Sequence, residues 1–134
     1  MIGMVLVTHG RLASEFVAAL EHVVGTQVQI AAVCIGPNDD MEERRQEILR
    51  CIADVDSGDG AVVLTDMFGG TPSNISLSFL ERGRVEIVTG VNLPMVVKFA
   101  TLAQDATDVA TLAHVISEKG SKAIRVASDL LVAR

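Results

Sequence analysis

Two apolar runs in this chain end abruptly on chemically capable residues: Val5-Leu6-Val7-Thr8 runs into His9-Gly10, and Ala61-Val62-Val63-Leu64-Thr65 runs into Asp66. Short β-branched runs closed by a breaker read as strands. Runs that are apolar throughout, rather than alternating, belong to sheets covered by helices on both faces. That restricts the chain to α/β architectures, whose ligands gather beyond the carboxyl ends of the strands. His9 and Asp66 both stand at that edge.

The rest of the chain supplies the helices such a sheet needs. Met1 to Val7 is the first strand. From Leu12 to Val24, apolar residues at Leu12, Phe16, Ala19, Leu20 and Val23 mark one helix face, and Gly25 closes it. Val28 to Ile35 is the second strand. Asn38 or Asp39 is expected to cap a helix carrying Met41, Ile48, Ile52 and Val55 inward, with Asp40, Glu42 and Glu43 in its first turn. Its run Glu42-Glu43-Arg44-Arg45-Gln46-Glu47 reads as a solvated face. Ala61 to Thr65 is the third strand and Val85 to Val88 the fourth, with a helix from about Ser73 to Glu81 between them. Pro72 suits that helix's first position and Thr71 its cap. Helices follow over Pro94 to Leu102 and Thr107 to Glu118, the latter ended by Gly120. Ala123 to Ala127 is a short last strand before a small apolar tail.

Strands alternating with helices imply a doubly wound, mostly parallel sheet with helices on both faces. An order 2-1-3-4 sets the first and third strands side by side, about 4.8 Å apart, so that His9 and Asp66 face each other. The 134 residues make a single domain, 1–134, and 49% hydrophobic residues without Trp or Tyr give it an aliphatic core. A formal net charge of −6 argues against nucleic acid and anionic membranes, which require a basic face, and favours a basic protein partner. Cys34 and Cys51 form neither a disulfide framework nor a metal motif, and no metal or other cofactor is expected. The N-terminal apolar run breaks too early for a leader or a span, so the expectation is a cytoplasmic protein without membrane insertion.

A histidine held by a carboxylate has its tautomer fixed. If Asp66 accepts from Nδ1–H, the Nε2 lone pair faces the pocket as nucleophile or base, and the carboxylate stabilises a cationic imidazole. The stretch after Asp66, Met67-Phe68-Gly69-Gly70-Thr71-Pro72-Ser73-Asn74, adds an anion site. Gly69 and Gly70 bare their amides, the helix from Pro72 presents free N–H groups, and Thr71 or Ser73 adds a hydroxyl. That inventory suits phosphoryl transfer, which needs positioning and donors for equatorial oxygens. Taken singly, each feature has a structural reading: a capping histidine, an Asx turn, punctuation between strand and helix. Convergence on one strand edge is what favours a site. His22 and His114, inside helices without partners, read as surface or boundary residues. Met67 and Phe68 read first as core plugs and second as contacts for a docking protein.

Three segments together, Val5-Leu6-Val7-Thr8-His9-Gly10, Asp66 to Asn74 and Thr89-Gly90-Val91-Asn92-Leu93-Pro94-Met95, closely resemble the signatures of the mannose-type IIA domain of the bacterial phosphoenolpyruvate-dependent sugar phosphotransferase system. The resemblance spans essentially the whole chain. It implies that His9 is a phosphoacceptor, phosphorylated on Nε2 by the phosphocarrier protein HPr, and that Asp66 is bonded to its other nitrogen. It places Thr71 where the family often has a serine contacting the phosphoryl group, and Asn92 in a neighbouring loop. It further implies a homodimer in which the last, antiparallel strand, Ala123 to Ala127, is exchanged between subunits. Phe68 stands where the family often carries Trp, which bears on partner preference. With the chain ending at Arg134, the expected acceptor is a separate IIB protein, or the domain acts as a phosphorylation-dependent regulator. Competing readings are the phosphoryl-carrying subunit of a dihydroxyacetone kinase, against which the Gly-Gly-Thr-Pro-Ser-Asn loop argues, a flavodoxin-like binder of a nucleotide or flavin, and a hydrolase using Thr71 or Ser73 as nucleophile.

Overall fold

The continuous apolar runs become the centre of one sheet. In the computed structural model, which describes residues 1–132, β1 (Gly3–His9), β2 (Ile30–Ile35), β3 (Ala61–Thr65) and β4 (Val85–Thr89) pair in the order β2-β1-β3-β4, every pairing parallel. The expected order is therefore observed. Ala133 and Arg134, the end of the expected domain and of its apolar tail, lie outside the described residues.

Successive residues of β1 and β3 point to opposite faces. Met4, Leu6, Val62 and Leu64 enter one core, closed by α1 (Leu12–Val24), α4 (Leu93–Leu102) and α5 (Val109–Ala123). Val5, Val7 and Val63 enter the other, closed by α2 (Met41–Val55) and α3 (Thr71–Leu77). Phe99, the largest fully buried side chain, anchors the first layer. Being covered on both sides, the two central strands need no polar alternation, which is why they read as unbroken hydrophobic runs. Among the described residues, no helix is long and apolar enough to cross a membrane.

Several local expectations give way to tertiary contacts. The helix-two cap is Asp40, whose carboxylate accepts from the Glu42 and Glu43 amides, not Asn38 or Asp39. α3 begins at Thr71 and ends at Leu77, so Gly70 rather than Thr71 occupies its cap position, without a side-chain bond. Gly120 does not end α5. It is buried inside the helix, where a Cβ would lie 2.4 Å from Met95 Cγ, so the close approach of α4 outweighs its low helix propensity. On α1, Leu20 is buried and Phe16 packs alongside the core as expected, joined by Ala13 and Val17, but Leu12 and Val23 are exposed. Val28 is also exposed, and β2 starts only at Ile30. Met41 is likewise largely exposed, while Ile48, Ile52 and Val55 bury as expected. The charged run on α2 is solvated only in part: Arg44 is half-buried between Asp39 and Glu47, and the Arg45 guanidinium lies 5.0 Å above the Phe79 ring. His22 and His114 are exposed, as expected of them, and Cys34 and Cys51 are free thiols, each half-buried.

The expected last strand is the largest correction. Ala123 closes α5, residues 124–126 carry no regular structure, and Ala127 opens α6 (Ala127–Val132). A strand needs a partner edge to form its ladder, and among the described residues this segment pairs with no strand of its own chain. Its apolar side chains Ile124, Val126, Leu130 and Leu131 stand in solvent.

Where β1 passes α2 the approach is too close for a side chain. A Cβ on Gly3 would fall 2.3 Å from the Val55 carbonyl oxygen and 2.4 Å from its Cβ. Both are fixed parts of a buried helix end, so neither yields cheaply. Gly3→Ala is expected to lower unfolding free energy by about 3 kcal/mol, the upper range for overpacking a tight interior. Urea unfolding of the two proteins measures this directly, and a loss under about 1 kcal/mol would mean that α2 shifts freely.

Candidate functional site

The register of the two central strands brings the site together. Val7 pairs with Thr65, so His9, the last residue of β1, and Asp66, the first beyond β3, arrive side by side at the carboxyl edge. A single carboxylate oxygen, Asp66 Oδ2, accepts both the His9 backbone N–H at 2.9 Å and the ring nitrogen Nδ1 at 2.8 Å. An ionised carboxylate only accepts, so Nδ1 carries the proton and Nε2 is left with its lone pair. The other oxygen, Oδ1, takes the Met67 amide at 3.1 Å, which pins the carboxyl plane. Partial burial pushes the Asp66 carboxyl up, but the His9 amide and ring N–H outweigh that and hold it below its ordinary value of 3.8. A folded value below the unfolded one means that this contact stabilises the protein at neutral pH and is lost as the pH falls below about 4. The His9 side chain is 48% exposed and that of Asp66 only 13%, so the carboxylate is a largely sheltered brace and the imidazole an accessible head.

The free nitrogen looks at Gly70. A Cβ there would sit 2.8 Å from His9 Cε1, 3.2 Å from Nε2 and 3.5 Å from Met67 Cγ. Gly69, before it, holds a φ of 87°, which turns the loop back towards the imidazole. The ring opens on a cleft of about 420 Å³ that Thr71 lines from α3, Gly10 from β1's end, and Ile35, Gly36, Pro37, Asp39 and Met41 from the β2–α2 connection. This last wall was not expected from sequence. The signal was present, since Gly36-Pro37-Asn38 follows a strand that neighbours β1 and so ends at the same edge.

The remaining expected site residues are placed differently from one another. Thr71 lines the cleft. Pro72 and Ser73 are buried, and the Ser73 hydroxyl is fully enclosed without a hydrogen-bond partner, as is that of Thr65. Ser73 has no exposed surface, so neither its hydroxyl nor its backbone N–H reaches the cleft. Met67 and Phe68 are 56% and 73% exposed, so the core-plug reading is wrong and an exposed apolar pair stands beside the imidazole. Asn92 is committed elsewhere: Oδ1 accepts the Met95 amide and Nδ2 donates to the Gly120 carbonyl, tying α4 to α5. Among the described residues, no group of His, Cys, Asp and Glu is arranged to hold a metal ion.

A parallel 2-1-3-4 sheet carrying a carboxylate-bonded histidine at its switch point defines an α/β domain with an accessible imidazole at the strand edge. The comparisons narrow that class. Residues 3–116 match the family model described as the PTS system fructose IIA component, and the chain belongs to this EIIA-man family. It is 26% identical over 125 residues to the PTS system mannose-specific EIIAB component of Escherichia coli K12, covering 92% of this chain and 39% of that protein. It thus spans well under half the length of that relative. It is 25% identical over 117 residues to the PTS system sorbose-specific EIIA component of Lacticaseibacillus casei, covering 87% of this chain and 84% of that one. The crystal structure of phosphotransferase system component EIIA from Streptococcus agalactiae superposes with a TM-score of 0.87 at 22% identity, covering 96% and 99% of the two chains, which establishes the shared fold.

Proposed function

We propose that the chain is a phosphoryl carrier of the phosphotransferase system, accepting the group on His9 Nε2 from HPr and passing it to a separate IIB protein in the cytoplasm. The observation that carries this reading is the fixed ring: Nδ1 is bonded to Asp66 at 2.8 Å while Nε2 faces an open glycine. In the transfer the Nε2 lone pair forms the new bond to phosphorus as the donor's bond to phosphorus breaks. The Nδ1 proton stays on the ring, and the cation that results lies against the Asp66 carboxylate. The equatorial oxygens are met by the amides of Gly69, Gly70 and Thr71 and by the Thr71 hydroxyl. These are preorganised dipoles in a cleft that needs no metal for this step. Met67 and Phe68 beside the ring provide apolar contact for the protein that delivers or takes the group. The same reading makes the chain a homodimer, supported by the unsheltered Ile124, Val126, Leu130 and Leu131 that follow α5.

Incubation with phosphoenolpyruvate, enzyme I and HPr, followed by intact mass, tests the reading. One acid-labile phosphoryl group per chain is expected, present only when all three are supplied. A chain whose mass is unchanged after complete phosphorylation of HPr would overturn it.

A further inference from the structure

The cleft beside His9 holds a fixed negative charge and, among the described residues, no lysine or arginine. Asp39 lines it, and none of the other lining residues is Lys or Arg. The carboxylate is clamped: Oδ2 accepts the Gly36 amide at 2.8 Å and Arg44 Nε at 3.0 Å. Hydrogen bonding to that amide, and then to Arg44, keeps it ionised throughout the neutral range. Arg44 does not cancel the charge, because its guanidinium is shared with Glu47 and the three side chains together carry one net negative charge. Asp40, Glu42 and Glu43 at the start of α2 add to the field. Arg11, two residues beyond His9, points into solvent near Glu15, 88% exposed. A phosphoryl dianion approaching Nε2 therefore meets dipoles that attract it and a carboxylate that does not.

Resting on the carrier reading above, we propose that Asp39 is a specificity-determining residue that selects the phosphoryl donor by charge. It slows transfer from small free anions such as acyl phosphates and leaves His9 to a protein donor that brings cationic groups of its own. The reaction that is suppressed is definite. Nε2 attacks the phosphorus of acetyl phosphate, the bond from phosphorus to the bridging oxygen breaks, and acetate leaves with its electron pair. In a water-like dielectric, a unit charge about 8 Å from a dianion would change the encounter by about fivefold at low salt, and ionic strength erodes the effect.

The test compares two donors on the full chain, acetyl phosphate and phosphorylated HPr, across a salt series, read by intact mass. Asp39→Asn retains an oxygen for the Gly36 amide and removes the charge. It is expected to take the phosphoryl group from acetyl phosphate about fivefold faster at low salt, with a flatter salt dependence than the wild-type rate, which should rise as salt is added. Transfer from HPr should not accelerate. Glu47→Gln lowers the charge from behind Arg44 without touching the cleft, and should shift the acetyl phosphate rate the same way by less. Equal rates and salt slopes in wild type and both variants would overturn the proposal. So would an equal acceleration with both donors, which would mark a change in His9 reactivity rather than selection, or an absence of acetyl phosphate transfer to any of the three while HPr transfer proceeds. If HPr too fails to phosphorylate the wild type, it is the carrier reading itself that falls, taking this one with it.

Discussion

His9→Ala is expected to abolish phosphoryl acceptance from HPr altogether, whereas Asp66→Asn should slow it by about 10- to 100-fold, the usual effect of removing the group that orients a functional histidine. The two effects differ in kind because the residues do different things. Without the imidazole there is no lone pair at the mouth of the cleft, and His22 and His114, both exposed on other helices, have no carboxylate brace. With asparagine at position 66, an oxygen still accepts from Nδ1–H, so a fraction of rings keep the productive tautomer. The amide carries no charge to offset the imidazolium formed on phosphorylation, however, and its NH₂ group can instead present itself to the ring and reverse the tautomer. Rapid-quench transfer kinetics from phosphorylated HPr, paired with ¹⁵N shifts of the His9 ring, separate the two contributions. A His9→Ala protein that still gains an acid-labile group, or an Asp66→Asn protein as fast as wild type, would place the chemistry elsewhere.

The centre of the fold was legible because the physics there is local and redundant. Val5 to Val7 and Ala61 to Thr65 are apolar whichever face they present, and only a sheet covered on both sides accommodates that. The parallel register then leaves little freedom in where residues 9 and 66 go, so a pairing between side chains 57 positions apart followed from two strand ends. The peripheral features were harder, since a distant contact decides each of them. Gly120 looks like a helix stop, yet α5 continues through it because Met95 and the Asn92 side chain need the space that a side chain would take. Ala123 to Ala127 has strand composition, but composition cannot supply a neighbouring edge. Met67 and Phe68 are apolar and lie in a tight loop, which suggests burial. Asp66 pins the Met67 amide, and the pair projects outward instead.

Within the candidate site, side chains marked by their own chemistry were readable, and those placed by a neighbouring element were not. Thr71 and Ser73 are both hydroxyl residues in the first turn of α3, with equal claims on a ligand from sequence. Residues two apart on a helix point about 200° apart, so only one of the two can face the cleft, and it is Thr71. Asp39 was read only as a possible helix cap, although the expected strand order already set the end of β2 beside that of β1, and its place on the cleft wall follows from that neighbourhood.

Gly70→Ala should separate folding from function. The residue has φ −85° and ψ 170°, an extended conformation open to any L-amino acid, so the backbone tolerates the change. The added methyl, however, would stand 2.8 Å from His9 Cε1 and 3.2 Å from Nε2, closer than van der Waals contact permits. His9 is half-exposed, so the strain is relieved by rotating the ring outward rather than by disturbing the core. Rotation lengthens the bond between Nδ1 and Asp66, turns Nε2 away from the loop amides, and leaves the methyl where a phosphoryl oxygen would lie. Misplacement of a reacting atom by about 1 Å costs on the order of 100-fold in rate. Acceptance from HPr should therefore fall by about that factor or more, while the urea midpoint stays close to wild type. The ¹⁵N shifts should show an imidazole that has lost its single tautomer, the same signature as Asp66→Asn reached from the opposite side of the ring. Near-normal transfer in Gly70→Ala would mean that the phosphoryl group does not occupy the space between Nε2 and the glycine loop.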